Sequence, residues 1–407
     1  MIRQKTMPGS IILPAKSAAE SATVRAAAVA RFTLDGSEEL ERHLTQTCEK
    51  VLAGIRAIIP AHKLEALLLG GGYGRGQGGV LKTESGDRPY NDLEFYVFIR
   101  GNNWLNERLF GKGLHHLAHQ LTSAAGIEIE FKIISSAKLR HSPTSMFYYD
   151  LVVRHHRLWG DENFPANCEH HRDARNIPLS EATRLLMNRC TGLLLAREKL
   201  ERVFLTTADT DFVSRNLAKA QLAFGDAVLT AFGQYHWNCL RRHERLRRVP
   251  AASAPWLDTL QQHHAAGVKF KLHPHQTPLS RADLRTQHEN VTAFALKVWL
   301  WLESCRLGMD VKSARDYALN PMNKYPDSNP WRNRLVNAKI FGPAAFLTKH
   351  SHRHPRERIL NALALLLWEP AASDSERQRW LCAGLRQRPN ADAAPAEIYQ
   401  KLWRQLN

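Results

Sequence analysis

Apolar residues recur at helical spacing from Leu40 through Leu44, Val51, Ile55 and Ile58 until Pro60 breaks the run, which predicts a helix over Ser37–Ile59. Three short apolar runs come next, Ala66–Leu69, Leu93–Ile99 and Ile127–Ile134, and these read as strands. Leu105–Ala124, between the last two, has the period of a helix. Strand, loop, strand, helix, strand is the order of an α/β unit.

After Gly160 the pattern changes. Glu181–Phe204, Phe212–Phe232 and Arg281–Leu307 are long, helically periodic and poor in β-branched residues. Shorter helices are expected at Arg332–Ala338, Arg356–Leu367, Ser375–Leu385 and Ala396–Leu406, and the Pro- and His-containing stretch Leu272–Pro278 reads as a linker. The expected organisation is a mobile tail over 1–36, an α/β domain over 37–165, a helical domain over 175–270 and a C-terminal helical domain over 279–407.

Composition narrows the class. At 407 residues and 44% hydrophobic content the chain is expected to be globular and multidomain. No apolar run reaches the roughly 18 residues of a membrane span, and Ile11–Leu13 is too short for a signal-peptide core. The six cysteines lie far apart with no C-x-x-C pair, which disfavours a zinc ribbon or a secreted disulfide framework and suits a reducing cytoplasm. Lys and Arg exceed Asp and Glu by 17, an excess that attracts polyanions such as nucleic acid or nucleotide phosphates.

Candidate chemistry gathers in LLLGGGYGRGQGGVLKTESGDRPYNDLEFYVF, residues 67–98. The glycines at 74, 76 and 79 satisfy G-x-G-x-x-G, but a dinucleotide fingerprint must open a helix, and Gly86 and Pro89 come after it instead. Gly-Lys-Ser/Thr is missing too, so this is not a Walker loop. On the next strand Asp92 and Glu94 are two residues apart and share a face, while Leu93, Phe95 and Val97 face a core. GIEIEFKIIS repeats the pattern, with Glu128 and Glu130 on one face. Such alternation is also the ordinary look of a strand with one solvated face. Three carboxylates on one sheet face can instead hold divalent cations, and two Mg²⁺ ions so held can clamp an in-line phosphoryl displacement.

These residues resemble the DNA polymerase beta-like nucleotidyltransferase superfamily, which includes aminoglycoside nucleotidyltransferases, CCA-adding enzymes and poly(A) polymerases. Gly71-Gly72-Tyr73-Gly74-Arg75-Gly76 looks like its turn, Asn91-Asp92-Leu93-Glu94 like its metal strand, and Ile129-Glu130-Phe131-Lys132 like its third acidic position. Two departures stand out: an inserted loop around Lys82–Pro89, and Gly72 where Ser is commoner. The resemblance covers roughly 40–160 and implies an α/β nucleotidyltransferase domain succeeded by an all-α region. It implies Asp92, Glu94 and Glu130 as catalytic metal ligands, Glu130 preferred to Glu128, and Gly71, Gly72, Tyr73 and Arg75 as nucleotide-binding residues.

Lys219, four residues after Arg215 on an expected helix, is a further candidate phosphate contact, because relatives often set a basic residue of the helical region against the triphosphate; a solvated face is the plainer reading. His115 and His119 have zinc-like spacing but no third ligand. The basic runs at 241–248 and 349–358 keep an RNA contact in view without any RNA-binding module signature. The expectation is a cytoplasmic, Mg²⁺-dependent enzyme with a two-ion site that moves an NMP from an NTP, ATP foremost, to an acceptor hydroxyl. A small-molecule acceptor is placed slightly ahead of RNA, with no membrane partner. The alternative is a noncatalytic nucleotide- or RNA-binding protein that keeps the fold.

Overall fold

The computed structural model describes residues 31–250, 255–275, 279–369, 381, 384–385 and 395–406. The chain forms two compact units, Met1–Glu181 with Gly225–Thr277, and Ala182–Phe224 with Pro278–Asn407. The stretch 175–270, expected as one domain, is thus shared between them.

The first unit opens with helix α1 (Glu38–Ile58), where the Ser37 side chain accepts from the Leu40 N–H and three glutamates occupy the dipole-favoured first turn. After it come β1 (Leu64–Leu69), a short helical turn α2 (Gly71–Gly74), β2 (Gly79–Thr83), β3 (Gly86–Tyr90), β4 (Asp92–Ile99), α3 (Asn103–Ala125) and β5 (Glu128–Ile134). The unit continues through α4 (Ser136–His141), α5 (Met146–Val153) and β6 (His156–Gly160). The main sheet has the order β5-β4-β1-β6. β4 and β5 are parallel, as their connection through α3 requires, and β1 runs antiparallel to β4 and β6.

Both faces of this sheet are covered. Leu93, Phe95, Val97 and Ile99 of β4 pack with the apolar stripe of α1 and with Leu114 of α3. Tyr96 and Phe98 point the other way, into a cluster with Leu139, Leu151 and Val152 from α4 and α5. Asp92 and Glu94 share the Tyr96 face by strand alternation, at the beginning of β4, where both are only half-buried.

The inserted loop expected around Lys82–Pro89 is the hairpin β2–β3, paired from Gly79↔Tyr90 to Thr83↔Gly86. Gly86 and Pro89 hid it, because both residues weaken a strand reading. Within the expected tail, Phe32 and Thr33 are buried, and their N–H groups donate to the Glu41 carboxylate at 2.8 and 3.0 Å. Residues 1–30 lie outside the described residues.

Beyond β6 the described chain is mostly helical: α6 (Leu179–Leu200), α7 (Thr207–Ala231), α8 (Cys239–Leu246), α9 (Leu257–Leu272), α10 (Arg281–Leu307), α11 (Ala314–Leu319), α12 (Pro330–Phe341), α13 (Arg356–Trp368) and α14 (Pro395–Leu406). The expected linker Leu272–Pro278 begins at the last residue of α9, and the helix expected at Ser375–Leu385 lies largely outside the described residues. In the second unit Glu303 of α10 accepts from Thr183 at 2.5 Å and from the Tyr317 hydroxyl at 2.8 Å, and it pairs with Arg306. Each of these groups thereby satisfies a buried polar partner. Lys324 is 1% exposed, with its ammonium 4.7 Å from the centre of the Tyr317 ring.

Candidate active site

The glycine-rich turn is built where β1 ends. Gly70 donates its N–H to the Glu94 carbonyl at 2.9 Å, which places the turn beside the start of β4. Gly71 has φ +61°, and a Cβ there would stand 2.6 Å from Glu94 Oε2. At Gly74 a Cβ would come within 2.0 Å of the Leu69 carbonyl oxygen, a contact no other residue can make. Glycine is therefore required by the close approach of the turn to both strands.

Tyr73 is 3% exposed. Its hydroxyl donates to the Gly79 carbonyl at 2.7 Å and accepts from the Tyr90 N–H at 2.7 Å, tying the open end of the β2–β3 hairpin to the turn. The next link, Asn91, has φ +83°, a left-handed conformation that Asn tolerates better than most residues. Its side-chain amide donates to Asp92 Oδ1.

Asp92, Glu94 and Glu130 each offer an oxygen within 4.8 Å of the others. The parallel register sets Glu130 directly opposite Glu94 and Glu128 opposite Asp92. Glu128 is exposed and stands outside the group of three. Lys132, two residues beyond Glu130 on β5, reaches Glu94 Oε1 at 2.7 Å and Glu130 Oε2 at 3.2 Å. Partial burial lowers the Lys132 pKa, but the two glutamates outweigh it and hold the ammonium above its ordinary value.

The donor set suits a hard divalent cation: only carboxylate oxygens, from two adjacent strands, partly open to solvent. A cationic group already bridges two of them in the form of Lys132. Asp92, Glu94 and Glu130 are the residues that would hold such an ion.

Gly71, Gly72 and Tyr73 form the turn adjoining Glu94, while Arg75 directs its Nη1 to Asp150 Oδ2 at 2.8 Å. Lys219 lies half-buried on α7, within the second unit. Sequence reasoning named Lys132 only as part of the Glu130 motif and passed over Asp150, the partner of Arg75. Lys132 carried a signal, since it shares the strand face of Glu130. So did Asp150, a lone carboxylate inside the apolar run MFYYDLVV.

No protein-family model matches the chain, and no curated protein matches it. Among solved structures it is similar to the spectinomycin adenyltransferase AAD(9) from Enterococcus faecialis, solved with ATP and spectinomycin. That likeness is 14% identity over 61% of this chain and 98% of the other, with a TM-score of 0.34.

Proposed function

We propose that the protein is a Mg²⁺-dependent nucleotidyltransferase that moves an NMP from an NTP, with ATP as the preferred donor, to an acceptor hydroxyl. The observation that carries this reading is the convergence of Asp92, Glu94 and Glu130 within 4.8 Å of one another, beside a glycine turn pressed against Glu94. Asp92, Glu94 and Glu130 hold the metal, which when bound neutralises charge on the triphosphate and on the attacking oxygen.

The chain's own groups do the rest. Backbone at Gly71 and Gly72, unscreened by side chains, admits the triphosphate closely. Glu130, at the edge of the trio, accepts the proton of the acceptor hydroxyl. A bond forms between that oxygen and the α-phosphorus as the bond to the pyrophosphate oxygen breaks. In this reading the backbone at Tyr73 extends the same contact surface.

A small hydroxyl-bearing molecule is the proposed acceptor ahead of RNA. The test is pyrophosphate release from each NTP with Mg²⁺ and pooled small-molecule acceptors. Release that needs both metal and acceptor supports the reading, whereas tight nucleotide binding without any release makes the protein a noncatalytic binder.

A further inference from the structure

We propose that Asp150 is a positioning residue that locks the glycine turn through Arg75, so that Arg75 shapes the nucleotide site without itself contacting the nucleotide; this rests on the nucleotidyltransferase reading and replaces the direct role expected for Arg75. Arg75 closes the turn, its N–H donating to the Gly72 carbonyl at 3.2 Å. From there its side chain meets Asp150 on α5, and both side chains are only 14% exposed.

Asp150 is held in turn. Its Oδ2 also accepts from the Tyr235 hydroxyl at 3.2 Å, and Arg242 donates to that same hydroxyl at 3.2 Å. Arg242, itself buried, pairs with Asp226, whose other oxygen lies 3.4 Å from His264 Nε2. The turn is thus anchored by an unbroken polar chain through Asp150, Tyr235, Arg242, Asp226 and His264, residues that all lie within the first unit.

A second strut runs beside it. Gln77 donates its N–H to the Gly72 carbonyl at 2.8 Å, and its side-chain oxygen accepts the N–H of Cys239 at 3.1 Å, at the start of α8. The Asp150 carboxylate is pushed upward by burial, against which Arg75, Arg242 and Lys271 act. A buried ion pair is a poor source of net stability, because desolvation offsets most of the attraction. What it does supply is geometry: guanidinium is always charged and presents a rigid fork. Here that fork fixes the one segment whose backbone must stay within contact of Glu94.

The experiment compares Asp150→Asn, Arg75→Met and the double variant with the wild type. Three quantities are read: ATP affinity by calorimetry, Mn²⁺ affinity in the absence of nucleotide, and hydrogen exchange of the turn amides at 70–79. Asp150→Asn should weaken ATP binding about ten- to a hundredfold, as small misplacements do. It should also speed exchange of the turn and leave Mn²⁺ affinity unchanged. The double variant should lose little more than either single one, since both break the same link. Loss of ATP affinity in Arg75→Met with Asp150→Asn unaffected would make Arg75 a direct ligand and overturn the proposal. If wild-type protein binds no nucleotide, the functional reading fails, and the exchange data still decide the positioning role: unchanged exchange at 70–79 in Asp150→Asn contradicts it. Should Asp150→Asn fail to fold, Tyr235→Phe removes one support of the carboxylate and is expected to speed the same exchange more weakly; no change there contradicts the anchoring chain.

Discussion

Glu130 stands directly opposite Glu94 in the parallel pairing of β4 and β5, and the Lys132 ammonium reaches both carboxylates, at 2.7 and 3.2 Å. A built-in cation therefore competes for the oxygens that a metal would need. Lys132→Met should tighten Mn²⁺ binding by about tenfold, or ~1.4 kcal/mol, measured by calorimetry without nucleotide. Unchanged affinity would mean that the lysine does not oppose metal entry.

Asp92→Asn and Glu94→Gln each remove one ligand charge and leave no cavity, since both side chains are half-buried at the start of β4. Transfer should fall about a hundredfold or more. Thermal stability should stay within about 0.5 kcal/mol of wild type. A drop in activity accompanied by broad unfolding would show instead that the carboxylates are structural.

Gly72→Val tests the turn. A Cβ at Gly72 would stand 3.0 Å from the Gln77 carbonyl oxygen, so the larger side chain must displace backbone that is already pinned. The KM for NTP should rise about tenfold with Mn²⁺ affinity unaltered. Gly111→Ala, on α3, meets only the flexible end of Glu107, at 3.3 Å, and should leave KM unchanged. Equal effects at the two sites would reduce the turn to a hinge.

Lys324 gives a pH prediction for the second unit. Burial drives its pKa down to about 8, with Glu357 and Glu303 acting in the other direction. The unfolded chain, with an ordinary lysine near 10.4, binds the proton more tightly than the folded one. The resulting destabilisation is fully present below pH ~8 and is relieved as pH rises towards ~10.4, amounting to roughly 3 kcal/mol. Lys324→Met should raise the Tm at pH 7 and lose most of that advantage by pH 10. An equal shift at both pH values would show that the buried lysine carries no such cost.

The strands that hold the site were legible because alternation and local sequence decide them. Leu93, Phe95 and Val97 are each 0% exposed, as the period-2 pattern requires, and the same alternation sends Asp92 and Glu94 to the opposite face. The hairpin β2–β3 was not legible, since its pairing is enforced by Tyr73 and by a Ser37 N–H to Asp87 contact of 2.7 Å, 50 residues apart in the chain. Nor was the division of the helical stretch near Phe224, which depends on packing that no periodicity records. The preference for Glu130 over Glu128 came from the resemblance alone, and the β4–β5 register, which sets Glu130 opposite Glu94, supplies the geometry in which Glu130 joins the group.

The most direct test of the central claim is incubation with each α-³²P-labelled NTP, Mg²⁺ and a cell extract separated into small-molecule, RNA and protein fractions. Wild-type protein should transfer label to the small-molecule fraction, ATP giving the most, and Asp92→Asn, folded and monodisperse, should transfer almost none. Label on RNA ends would replace the acceptor and keep the enzyme. No Mg²⁺-dependent transfer from any NTP, or wild-type transfer by Asp92→Asn, would contradict the account.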